Sequence, residues 1–214
     1  MSAVITTQHL SKVYNPDKIP VYALNDVSLE ITRGEFTAIV GPSGSGKTTL
    51  LNIIGGLDRP SSGHVDVGGF DIDALPDSAL IDFRKNHIGF VFQSYNLIPV
   101  LTAWENVEFV LLLQKKPKAE RDKRVRELLH AVGLEDQMYK RPSELSGGQQ
   151  QRVAVARALA PKPDYILADE PTANLDSAST ERLLDIMARL NREEEVTFVF
   201  STHDQRVIDR ARRV

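Results

Sequence analysis

Hydrophobic positions along this chain follow two rhythms, and the change between them divides it. Up to residue 93 the apolar residues come in short strand-like runs. Val4 to Tyr14 and Val21 to Ile31 are rich in β-branched residues, alternate loosely and are separated by the turn-forming Asn15-Pro16-Asp17, which predicts a small sheet. Phe36 to Val40 reads as a short buried strand and Thr48 to Ile54 as a helix. Gly63 to Val67 and Phe70 to Ile72 flank Gly68-Gly69, a two-residue hairpin signal that leaves Asp71 and Asp73 as exposed hairpin carboxylates. Ile88 to Phe92 is another strand. From 102 to 160 the period becomes helical. Thr102-x-x-Glu105 is a capping box leading into Val107 to Leu113, and a second helix carries Val125, Leu128, Leu129 and Val132 on one face with Gly133 at its end. The run Lys118 to Arg126 reads as its solvated face. A third helix has Val153, Ala156, Leu159 and Ala160 on its buried side. Strand runs return at Tyr165 to Ala168 and Val196 to Ser201, around a helix capped by Asp176 with Leu183, Ile186, Met187 and Leu190 on its face.

Candidate chemistry sits at the ends of these elements. Gly41-Pro42-Ser43-Gly44-Ser45-Gly46-Lys47-Thr48 fills every position of G-x-x-x-x-G-K-[ST], between a strand and a helix. Its glycines let backbone N–H groups turn inward as an anion nest, Lys47 reaches β and γ phosphates, and the Thr48 hydroxyl can ligate Mg²⁺. The following helix adds its N-terminal dipole. Gln93 lies at the carboxyl end of a strand, where ligands gather in open α/β sheets, although a lone glutamine is as often without a role. Asp169-Glu170 ends another strand, and the two can divide their labour: Asp169 holding the Mg²⁺ hydration shell, Glu170 orienting and deprotonating the attacking water. His203 is the one histidine at a strand's carboxyl end; His9, His64, His87 and His130 show no metal spacing.

Three features stay open on the residues alone. Tyr14 closes its strand where an aromatic face can stack on adenine, but spacing alone favours a sheet-surface tyrosine. Leu145-Ser146-Gly147-Gly148-Gln149 opens a helix and can bind an anion or be a plain N-cap. One nucleotide already has its cradle in Gly41 to Thr48, so two such termini acting on one γ-phosphate would come from different subunits. The apolar loop Leu97-Ile98-Pro99-Val100-Leu101, with Trp104, is either core packing or a docking surface.

Composition narrows the class. With 42% apolar and 26% charged residues in 214, the chain has the balance of a globular protein with ample core. A formal charge of −3 leaves no nucleic-acid footprint, so no nucleic-acid partner is expected. No cysteine is present, which excludes disulfides and thiolate zinc sites. Residues 1 to 20 lack the apolar core of a signal peptide, and no apolar run reaches the roughly 18 residues needed to cross a bilayer. Membrane contact is therefore expected only through a partner.

Taken together, the phosphate loop, Gln93, Leu145 to Gln149, Ile166 to Glu170, Asp176 and His203 resemble, in order and approximate spacing, the nucleotide-binding subunit of an ATP-binding cassette (ABC) transporter. The Leu-Ser-Gly-Gly-Gln segment is what discriminates, since a phosphate loop alone admits kinases, GTPases and helicases. The resemblance implies an α/β fold: a P-loop NTPase, RecA-like core (1–93 and 161–214) with a flanking antiparallel β-subdomain and an inserted α-helical subdomain (94–160). It implies an ATPase using ATP and Mg²⁺. Tyr14 matches the adenine-stacking aromatic; Gly41, Ser43, Gly44, Ser45, Gly46, Lys47, Thr48 and Thr49 match phosphate-binding positions. Thr48, Gln93 and Asp169 would surround Mg²⁺. Glu170 matches the catalytic carboxylate, His203 the switch histidine, and Gln93 joins them around the γ-phosphate. Ser146, Gly147, Gly148 and Gln149 would close over ATP held by a second copy, with Asp176 near the shared interface of a head-to-tail dimer. The segment Gln93 to Trp104 matches the region that grips a transmembrane permease, which would hold the chain on the cytoplasmic face of the inner membrane.

Within that family, Gly89 to Gln93, Asn96 to Pro99 and Leu101-Thr102-Ala103-x-Glu105-Asn106-Val107 resemble the lipoprotein-release and macrolide-export (LolD and MacB) branch, whose members often act by mechanotransmission. Amino-acid importers share parts of this text. Soluble cassettes acting on DNA or ribosomes carry long coiled coils or tandem cassettes, and regulatory modules commonly lack the residue matched by Glu170. The family usually continues past the switch histidine with two more strands and often a helix, whereas this sequence stops at Arg212-Arg213-Val214, so either it is truncated or its sheet edge is left short.

Overall fold

The computed structural model describes residues 3–214. Eight strands form two sheets. In the first, β1 (Ala3–Tyr14), β2 (Val21–Thr32), β4 (Ser62–Val67) and β5 (Phe70–Asp71) run antiparallel in the order β2-β1-β4-β5. In the second, β3 (Phe36–Val40), β6 (Ile88–Val91), β7 (Tyr165–Asp169) and β8 (Thr197–Thr202) run parallel in the order β3-β8-β7-β6. A parallel sheet needs both faces covered. Alternation along β7 and β8 achieves this. Ile166, Ala168, Phe198 and Phe200 face a core shared with the helices α3 (Ala103–Leu113), α4 (Lys118–Ala131), α5 (Gly147–Leu159) and α6 (Ser177–Glu193). Tyr165, Leu167 and Val199 face a second core formed with α1 (Lys47–Ile54), α2 (Asp77–His87) and the antiparallel sheet.

The helices follow their caps. Thr102 and Glu105 close the expected capping box on α3, and Asp176 accepts from the N–H of Ser179, at 2.9 Å, at the start of α6. Two helices lack an apolar face long enough to predict: α2, with only Leu80 and Phe83 buried, and the six-residue α7 (Gln205–Arg210). Ile186 is only partly buried; Leu184 takes its place beside Leu183, Met187 and Leu190.

Two further expectations change. Arg124, inside the run read as a solvated face, is buried: it donates to both carboxylate oxygens of Glu194, at 2.8 and 3.0 Å, and to the Leu159 carbonyl, at 2.9 Å. The sheet edge at β3 is not left bare either. Arg213 pairs in parallel with Thr37, the Ala38 N–H donates to the Arg213 carbonyl at 2.9 Å, and the Arg212 N–H donates to Phe36 at 2.8 Å. No helix among the described residues is long and apolar enough to cross a membrane.

Candidate active site

The phosphate loop joins β3 to α1, and its backbone explains its glycines. Gly44 and Gly46 have φ of 78° and 90°, in the left-handed region. A Cβ on Gly46 would lie 2.2 Å from the Ala23 carbonyl, so β2 packs against the loop from behind, while Gly44 faces open space. Lys47 is buried and its ammonium donates to the carbonyls of Gly41 and Pro42, at 2.8 and 2.9 Å, spanning the loop it anchors. Ser43, Ser45 and Thr48 are exposed at its mouth.

The carboxyl end of β7 delivers the acidic groups to this mouth, and that of β8 brings Ser201 and His203 beside them. The Thr48 hydroxyl lies 3.0 Å from each oxygen of Asp169, and the Ser201 hydroxyl donates to the same carboxylate. Glu170 follows in a left-handed conformation, φ 45°, held by its N–H to the Ser201 carbonyl at 3.0 Å. A non-glycine residue there stores strain of order 1–3 kcal/mol, a cost associated with functional positions. One oxygen of Glu170 lies 2.8 Å from His203 Nδ1 and 4.0 Å from the Lys47 ammonium; the other is buried without a hydrogen-bond partner. A buried carboxylate oxygen lacking a donor, beside an anion cradle, is placed to accept a proton from water. His203 itself is largely exposed.

Gln93 lies two residues past β6, its side chain exposed and its carbonyl accepting from Asn174 at 3.1 Å. The loop after it is clamped to α5: half-buried Arg157 donates to the carbonyls of Tyr95 and Asn96, at 2.9 and 2.5 Å, and both residues have positive φ. Burial without a carboxylate partner lowers the pKa of Arg157. That clamp joins residues far apart in sequence and left no periodic signal.

Tyr14 ends β1 partly exposed, and its hydroxyl donates to Asp58 at 2.7 Å. Ser146 is the N-cap of α5, in a capping box with Gln149. Gly147 and Gly148 pack closely: a Cβ would meet the Tyr95 hydroxyl at 2.7 Å and the Ser179 hydroxyl at 2.9 Å, respectively, so those side chains would have to shift. Among the described residues, no hydrogen bond joins Ser146 to the phosphate loop. The site thus gathers Lys47, Thr48, Asp169, Glu170 and His203 directly, while in Leu145 to Gln149 Ser146 is exposed, Gly147 to Gln149 are half-buried and Leu145 packs in the core.

The apolar loop divides. Leu97 and Trp104 pack against the helical core, and Trp104 also stacks on Tyr139 at 6.1 Å, whereas Val100 is 71% exposed. Beside it, Leu57, Phe90, Phe92, Asn96 and Val110 line an open groove of about 350 Å³. Away from the site, His64 gathers Asp71 and Asp73 within 4.8 Å despite the absence of metal spacing, and its ring nitrogen lies 3.0 Å from Asp73.

A profile of the ABC transporter family matches residues 24–173. The chain belongs to the ABC transporter family. It is an ATP-binding subunit and an ATPase of that family. An ABC transporter ATP-binding protein of Thermotoga maritima is 48% identical over 209 residues, covering 98% of this chain and 89% of the relative. The lipoprotein-releasing system ATP-binding protein LolD of Legionella pneumophila is 42% identical over 211 residues, covering 99% and 93%. The fold matches a solved dimeric ATP-binding cassette, MJ0796, described as a post-hydrolysis state bound to ADP and phosphate, with a TM-score of 0.89 and 45% identity over 97% of this chain and 91% of that one. A sequence of that name comes from Methanocaldococcus jannaschii.

Proposed function

We propose that this ABC ATPase works as a head-to-tail dimer that drives a membrane subunit of the lipoprotein-release or macrolide-export type. The observation that carries the reading is that, among the described residues, no hydrogen bond joins its two anion-binding edges. The phosphate loop, Asp169 and Glu170 share one mouth; Ser146 is exposed at the half-buried α5 N-terminus, and its hydroxyl bonds only within its own turn. A second copy supplies the missing half of each site. Similarity to the dimeric cassette supports this arrangement, and 42% identity to LolD supports the branch.

In each half-site, Gly41 to Lys47 hold the phosphates and Tyr14 takes the base. Thr48 and Asp169, with Gln93, offer the oxygen donors that Mg²⁺ prefers, and the 3.0 Å approach of Thr48 to both Asp169 oxygens fits one hard cation with them. When bound, that ion would neutralise charge on the phosphates. Glu170 orients the attacking water and takes its proton on the oxygen that has no other donor, while His203 holds the opposite oxygen. Ser146, Gly147, Gly148 and Gln149 of the second copy close over the γ-phosphate, and Asp176 shapes α6 beside them. The membrane subunit docks in the groove of Phe90, Phe92 and Val110, with Val100 on its rim, rather than on Leu97 or Trp104, which serve the helical core. That contact holds the ATPase on the cytoplasmic face of the membrane.

Co-purification tests the docking. Val110→Glu is expected to abolish recovery of the membrane subunit while basal ATP turnover persists; full recovery of the complex excludes the groove.

A further inference from the structure

Asp58 lies just beyond α1, at a point the helix end determines. Gly56, with φ 62°, closes the helix: its N–H donates to Ile53 and that of Leu57 to Asn52, at 2.9 and 2.8 Å. This turn directs the Asp58 carboxylate back toward β1. One oxygen accepts from the Lys12 ammonium at 2.7 Å and the other from the Tyr14 hydroxyl at 2.7 Å. Lys12 and Tyr14 share a face of β1 because side chains alternate along a strand. The Lys12 ammonium, also bonded to the Arg59 carbonyl at 2.7 Å, sits 4.8 Å from the Tyr14 ring centroid and covers one of its faces. The ring is therefore fixed at its hydroxyl by Asp58 and on one face by Lys12, leaving the other face for a ligand.

The electrostatics agree with a fixed group. Burial opposes ionisation of Asp58, but hydrogen bonds from Lys12, Tyr14 and the Arg59 N–H together hold its carboxyl below the usual carboxylate range. Burial, with the Asp58 carboxylate beside it, raises the Tyr14 phenol. The phenol thus remains a donor to a carboxylate that remains an acceptor.

We propose that Asp58, with Lys12, is the positioning residue for the nucleoside base, holding the Tyr14 ring at a set orientation to the phosphate loop. The inference rests on the reading of Tyr14 as the base platform. Its physical content is that both ends of the nucleotide are referenced to one rigid element. The N-terminus of α1 holds the phosphates; Asp58, just past its last turn, holds the ring. Losing Asp58 frees the ring to rotate and reduces the benefit of stacking, without touching the cradle.

The test compares binding of ATP with binding of inorganic tripolyphosphate, which makes only the cradle contacts, by titration calorimetry on the full chain. Tyr14→Ala is expected to weaken ATP roughly tenfold. Tyr14→Phe and Asp58→Ala are each expected to weaken it about threefold to tenfold, the loss of one oriented hydrogen bond, and the double variant to be no worse than the weaker single, because both remove the same contact. Tripolyphosphate affinity is expected to stay unchanged in all of them. If Tyr14→Ala weakens ATP but Asp58→Ala does not, Asp58 has no positioning role and the base platform stands. If Tyr14→Ala has no effect, both fall. Equal loss of ATP and tripolyphosphate in Asp58→Ala would make Asp58 a prop of the loop and overturn the inference.

Discussion

Glu170 concentrates the chemistry at the residue scale. Its left-handed backbone, its His203 contact at 2.8 Å and its unpartnered second oxygen support its proposed role as the base that takes a proton from the attacking water. Glu170→Gln keeps the shape and removes the basicity, so single-turnover ATP hydrolysis should fall about 10²–10⁴-fold with nucleotide binding retained. Unchanged turnover in that variant would remove Glu170 from the reaction. The sequence exposed this residue because consecutive carboxylates at the end of a buried apolar run have few structural uses. It did not expose Asp58 or Arg157. Their partners, Tyr14 and the carbonyls of Tyr95 and Asn96, lie far away along the chain and carry no pattern of their own.

Elements were legible where a periodic face or a cap marked them. The strands β1 to β4 and β6 to β8, and the helices α1, α3, α4, α5 and α6, all carry such marks. The helices α2 and α7 do not, since two buried residues or a six-residue length cannot establish a period. The rotation of α6 that buries Leu184 in place of Ile186, and the burial of Arg124 against Glu194, depend on neighbours that only the tertiary fold supplies. Packing between elements makes its own prediction. A Cβ on Gly89 of β6 would lie 2.5 Å from the Ala158 carbonyl of α5, so Gly89→Ala should lower unfolding free energy by about 1–3 kcal/mol in urea titration. At the turn from β2 to β3, burial opposes ionisation of Glu35, but bonds from Thr32 and Thr37 outweigh it and lower its pKa from 4.5. The stability this confers is complete above the unfolded value and is lost as pH falls through the lower folded value. Glu35→Gln should therefore flatten the decline in urea midpoint below about pH 4.5; an acid limb identical to that of the parent would contradict the assignment.

Across the whole molecule, the parallel sheet holds the phosphate loop, the acidic end of β7 and the His203 end of β8 at one mouth, while Ser146 caps α5 in the helical part of the fold. The motif order made both halves legible. That no hydrogen bond joins them within one chain, among the described residues, is a property of the fold, visible only in the partners Ser146 takes there. The central claim is that a second copy completes the site, and sedimentation velocity with saturating ATP tests it most directly. Glu170→Gln, which binds without turning over, should sediment as a dimer, and the same protein carrying Ser146→Arg as a monomer. A Glu170→Gln chain that stays monomeric with ATP, or a dimer indifferent to arginine at position 146, would contradict the account.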